Sequence, residues 1–156
     1  MYDPKFMDEA ILLARQYKST GLGGPFGAVV VKEGEIIGRG FNQVTILNDP
    51  TAHAEVMAIR NACGNLGHFQ LTGCEIYSSC EPCPMCLGAI YWARPDIIYY
   101  GADRKDAAAA GFDDSFIYDE LNLPPHLRRI SAEKHESQEA VSVFEEWIKW
   151  ENKKEY

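Results

Sequence analysis

Three residues of this chain are natural zinc ligands, and a fourth is a carboxylate beside one of them. His53 is followed two positions on by Glu55, and Cys83 by Cys86 within the run Pro82-Cys83-Pro84-Met85-Cys86. Zinc takes thiolate and imidazole ligands tetrahedrally, and a catalytic zinc keeps one of its four positions for water. His53, Cys83 and Cys86 would fill three. Zinc lowers the pKa of bound water towards about 7. A carboxylate next to such a water can accept its proton and deliver it elsewhere. The chemistry predicted is hydrolysis by an activated water, with Glu55 as the proton carrier.

These side chains must be brought together by separate elements. Cys83 and Cys86 are three apart, which sets both sulfurs on one side of a first helical turn. Pro82 and Pro84 suit that place, where the first helical N–H groups have no partner. The positive end of a helix also favours thiolates. His53 lies far upstream and must come from another element. Positions i and i+2 do not share a helix face. His53 and Glu55 therefore converge only if His53 sits at the very start of its helix, and Asp49-Pro50 is a helix-start signal just before it.

Apolar spacing predicts an opening helix over Asp8–Tyr17. Phe26–Val31 and Glu35–Phe41 read as strands of a hairpin turning at Lys32-Glu33-Gly34. Helix Ala54–Cys63, strand Cys74–Ser79, helix Cys83–Trp92, strand Asp96–Gly101 and a short helix Lys105–Ala110 follow. Leu127–Ala132 reads as a last strand and Gln138–Lys149 as a closing amphipathic helix. Alternating strands and helices predict one α/β sheet covered on both faces.

The chain has 156 residues, 46% of them hydrophobic, which suits one domain with a sizeable core. Its formal net charge is −8 and its pI about 5.0. Nucleic-acid binding leans on basic patches, so this balance argues against a nucleic-acid substrate. No apolar run approaches a membrane span, and Met1-Tyr2-Asp3-Pro4-Lys5 lacks a secretory pattern. Five cysteines, two better used on zinc, point to a reducing, cytoplasmic setting.

Duller assignments compete at each position. Cys80-Glu81-Pro82-Cys83 is a second C-x-x-C, and a fourth ligand at Cys80 would make a closed, structural site. Cys80 at a strand end reads instead as packed, as do Cys63 and Cys74. His68, His126 and His135 lack ligand spacing. Asp113-Asp114 could cap a helix, Asn42 could serve a turn, Phe26 and Trp92 could be core, and Tyr156 could be a frayed end.

H-x-E followed by P-C-x-x-C is the recognised signature of zinc base deaminases. Together with Gly23-Gly24-Pro25-Phe26-Gly27-Ala28-Val29 and Thr51-Ala52-His53-Ala54-Glu55, the segment Cys80–Ile90 resembles the cytidine-deaminase-like superfamily. Gly111-Phe112-Asp113-Asp114-Ser115-Phe116-Ile117-Tyr118 and the ending Asn152-Lys153-Lys154-Glu155-Tyr156 resemble its bacterial zinc-dependent guanine deaminases. The resemblance implies a single three-layer α/β/α domain over residues 1–156 with a five-stranded mixed sheet. It implies one zinc per subunit and a homodimer exchanging residues 138–156. Asn42 and the Ala54 N–H would bind the base, Phe26 and Trp92 would line its pocket, Asp114 would read the guanine edge, and Tyr156 would help close the partner's site. The reaction implied is guanine + water → xanthine + ammonia, with Glu55 moving the proton. Guanine's N–H donors suit an ionised Asp114, whereas the bare ring nitrogen of adenine or cytosine would be repelled by it. The competitors are a tRNA adenosine deaminase, another free-base, pterin or triazine deaminase, and a non-catalytic zinc-stabilised module.

Overall fold

A computed structural model describes Met1–Tyr156. It divides into two compact units, Met1–Asp114 and Ser115–Tyr156. The first is built on the expected hairpin. Glu33 and Gly34 both take positive φ, 52° and 81°, as a two-residue hairpin turn requires. They join β1 (Gly27–Lys32) to β2 (Glu35–Phe41), antiparallel from Gly27↔Phe41 to Lys32↔Glu35. β3 (Cys74–Cys80) runs antiparallel on the other side of β1, and β4 (Ile97–Ala102) runs parallel to β3. The order is β2-β1-β3-β4.

Both sheet faces are covered, because strand residues alternate between them. Val29, Val31 and Tyr77 point to one face, where Phe6 and Met7 of α1 (Pro4–Ala14) cover them. Ala28, Val30 and Ile76 point to the other and meet Ala54, Ala58 and Ala62 of α4 (Ala54–Leu66) and Ile90 and Ala93 of α5 (Pro84–Ala93). The result is the expected three-layer α/β/α arrangement. Small residues hold α4 close to β2: a Cβ on Gly40 would overlap the Ala54 carbonyl and the Ala58 amide. Short helices α2 (Tyr17–Thr20), α3 (Val44–Leu47) and α6 (Arg104–Ala109) link these elements.

Two expectations need correction. The first helix starts at Pro4, not Asp8. Asp3 caps it by accepting from the Lys5 amide, and Pro4 takes the first helical position. The sheet has four strands, not five. In the second unit, α7 (Ser115–Leu121) leads to a 3-10 turn at Pro125–Leu127 and then α8 (Gln138–Lys149). Leu127–Ala132 forms no strand because its backbone donors are used locally: the Arg129 amide on Glu120 at 2.6 Å and the Ala132 amide on the Pro125 carbonyl at 3.1 Å. The Leu127 amide closes the preceding proline turn on Pro124. α8 has the expected bounds, capped by Ser137. No helix is long and apolar enough to cross a membrane.

Candidate active site

The first helical turns of α4 and α5 carry the chemistry. Each begins on a candidate ligand: His53 is the N-cap of α4 and Cys83 the N-cap of α5, both with extended backbone. That resolves the i, i+2 spacing. Off the helical wheel, His53 offers its ring to Cys83 and Cys86, and Glu55, inside the first turn, meets Cys86 in the same place. The loop delivering His53 is pinned by Asp49, whose Oδ1 accepts from the Thr51 amide at 2.8 Å and the Thr51 hydroxyl at 2.7 Å. The Asp49-Pro50 signal thus shapes the approach, and the cap itself falls on His53.

The ligand atoms of His53, Cys83 and Cys86 lie within 4.8 Å of one another. His53 Nδ1 stands 3.5 Å from Cys83 Sγ and 3.4 Å from Cys86 Sγ. Two ligands on one tetrahedral zinc, with usual bond lengths, would sit roughly 3.6 Å apart. The donor set therefore fits zinc in type and spacing. Cys80 stays outside it, its Sγ 3.6 Å from the Asp103 carbonyl. Burial pushes the Cys80 thiol up to about 11, which makes it an inert packed cysteine. His68, His126 and His135 are also outside the group.

Charge is already organised for a cation. A hydrogen bond from Cys86, then one from His53, holds the Cys83 thiol down at about 4. Cys86 is driven up, first by that shared hydrogen bond and then by burial. His53 is raised, chiefly by its hydrogen bond with Cys83. Glu55 is 6% exposed, and burial raises its carboxyl above the usual range. Its Oε2 is 3.4 Å from Cys86 Sγ and its Oε1 3.4 Å from the Ser78 hydroxyl.

Asn42 is buried at the end of β2. Its Oδ1 accepts from the Gly24 amide at 3.1 Å and the Val44 amide at 3.3 Å. That fixes the orientation of the amide and leaves Nδ2 as the donor to offer a ligand. Phe26 follows Gly24 and meets Phe112 edge-on, with ring centroids 4.9 Å apart. Asp114, two residues beyond Phe112, is half-buried. Burial and then the negative Cys83 raise its carboxyl, with Arg104 opposing. Ala54 opens α4, where an N–H lacks an intrahelical acceptor. Trp92 lies in the last turn of α5 and is 64% exposed, and Tyr156 ends the second unit at 69% exposed. Sequence reasoning missed Ser78 and Phe112. Ser78 could have been noticed as a polar residue on the same strand face as Ile76, and Phe112 as the aromatic residue just before Asp113-Asp114.

Residues 1–102 match the cytidine and deoxycytidylate deaminase zinc-binding region. A guanine deaminase of Bacillus subtilis (strain 168) is 56% identical over 151 residues, 97% of each chain. An X-ray structure of guanine deaminase from Bacillus subtilis superposes with a TM-score of 0.96 at 55% identity, covering 100% of this chain and 99% of that one. A tRNA-specific adenosine deaminase of Aquifex aeolicus is 38% identical over 126 residues, 80% of each chain.

Proposed function

Because the chain belongs to the cytidine and deoxycytidylate deaminase zinc-binding family, we propose that it hydrolyses guanine to xanthine and ammonia. The observation that carries the chemistry is the three-ligand group with a buried carboxylate against it. The near full-length likeness to a guanine deaminase supports the substrate. His53, Cys83 and Cys86 would hold zinc, which when bound supplies the Lewis acidity that makes water a nucleophile at neutral pH.

The remaining work belongs to the chain's own side chains. Glu55 takes one proton of the attacking water and delivers it to a ring nitrogen, then carries the remaining hydroxyl proton to the departing amine. One C–O bond forms, one C–N bond breaks, and ammonia leaves. The Asn42 Nδ2 donates to an acceptor on the base, and Asp114 accepts its N–H donors. This pairing discriminates, because a base with the wrong edge leaves buried polar groups unpaired. The Ala54 N–H steadies the tetrahedral intermediate. Phe26 lies against one face of the ring.

Residues 1–156 act as one deaminase domain within a homodimer. Its support is α8, which buries no residue of its own yet presents Val141, Phe144 and Ile148 outward. Exchange of residues 138–156 would cover that face and bring Tyr156 and Trp92 into use at the paired sites. Five free cysteines without a disulfide suit a reducing cytoplasm.

Ammonia release from guanine, adenine, cytosine and a tRNA anticodon stem-loop tests the proposal. Turnover of guanine and of no other substrate is the expected result. Turnover of the stem-loop adenosine instead would overturn the substrate and keep the chemistry. Silence on all four would overturn guanine as the substrate and leave an untested amine or a zinc site that is only structural.

A further inference from the structure

Ser78 is 2% exposed, on a strand face otherwise given to the core. In β3 it pairs with Ala28 on one side and Tyr100 on the other. Its alternation with Tyr77 turns it, like Ile76, towards α4 and α5. A hydroxyl there is unusual, since buried strand positions favour apolar side chains. Its hydroxyl donates to Glu55 Oε1 at 3.4 Å. That is long for an O–H···O bond, but catalytic hydrogen bonds are often long without substrate and tighten in the reacting complex.

The other side-chain restraint on this carboxylate is Cys86, whose Sγ donates to Oε2 at 3.4 Å, beside a bond from the residue's own backbone. A metal-ligating cysteine must give up its proton, so that restraint ends when the group is loaded. The Ser78 hydroxyl is then the side-chain donor left on Glu55. We infer that Ser78 is a positioning residue: it anchors Oε1 of Glu55, so that Oε2 faces the reacting atoms and the carboxylate carries its proton along one fixed path. The inference rests on the proposed deamination, and it concerns Glu55 rather than the metal.

The test uses the full-length, zinc-loaded protein with Ser78→Ala and Ser78→Thr, which keeps a hydroxyl. Ser78→Cys, of similar size but a weak donor, replaces the alanine variant should that fail to fold. Positioning predicts that Ser78→Ala lowers kcat on guanine about tenfold or more, a part of what acid–base catalysis supplies. KM and zinc content should stay at the wild-type values, and Ser78→Thr should recover most of the rate. A crystal structure of Ser78→Ala should show the Glu55 carboxylate in more than one rotamer. A merely structural serine would change melting temperature and leave kcat of the folded enzyme alone. Wild-type kcat in Ser78→Ala, or an equal loss in Ser78→Thr, overturns the inference. Were the wild type to leave guanine untouched, the proposed function would fail separately. A single unmoved Glu55 rotamer in Ser78→Ala would still sink the role of Ser78.

Discussion

Glu55 meets two opposing demands that its position reconciles. As the proposed proton carrier it must be buried, out of bulk water, and it must reach a metal group whose histidine, His53, lies two residues before it. Placing His53 at the N-cap and Glu55 in the first turn satisfies both. Replacing Glu55 with alanine removes no ligand of the group. Glu55→Ala should therefore keep its zinc while kcat falls by at least 10²–10⁴-fold, the range of acid–base catalysis; metal analysis beside ammonia release checks both halves. Asp114→Asn tests edge reading instead. It exchanges one acceptor oxygen for a donor facing guanine's own donors, and kcat/KM for guanine should fall by about 10²-fold or more, with zinc content unchanged. The grouping of His53, Cys83 and Cys86, with Glu55 against it, was legible because few residue types can hold a metal and the spacing of these is distinctive. Ser78 was not, because a serine in a strand carries no signal until its face and its neighbour are known.

At the scale of elements, the site depends on where the N-terminus of α4 is set down. Glycine on β2 decides this. Gly40→Ala would drive a methyl into the α4 backbone at Ala54 and Ala58, lifting the turn that holds His53 and Glu55. Overpacking of this kind costs about 1–3 kcal/mol, and a melt should show it together with weakened zinc retention. Gly64→Ala is the control in the same helix. Nothing lies within 4 Å of its new methyl, so helix propensity should raise stability by roughly 0.5–1 kcal/mol and leave zinc alone. Alternation and turn chemistry made β1, β2, β3 and β4 readable to within a residue or two. Leu127–Ala132 misled because Leu127, Ile130 and Ala132 suggest a strand while the preceding Pro124-Pro125 starts a turn whose local bonds use up the backbone donors. The four-residue helices α2 and α3 lack the length to show a period at all.

At the scale of the whole molecule, α8 is amphipathic in sequence and yet has no buried residue. Phe144 is 71% exposed and Ile148 68%. Apolar stripes of this kind mark interaction surfaces, and in the proposed homodimer a second copy would supply the matching surface by symmetry. The chain should then sediment at twice its 17.5 kDa mass. Phe144→Asp combined with Ile148→Asp places two charges on the stripe, where burying them unpaired is prohibitive, and should shift the protein to monomer. His53, Cys83 and Cys86 all lie in the first unit, so the monomer should keep its zinc. If Tyr156 closes a partner's site as proposed, guanine turnover of the monomer should nevertheless collapse, and deletion of Tyr156 alone should reproduce much of that loss while the dimer persists. A fully active monomer would mean instead that one chain completes its own site, and that α8 is covered for stability alone.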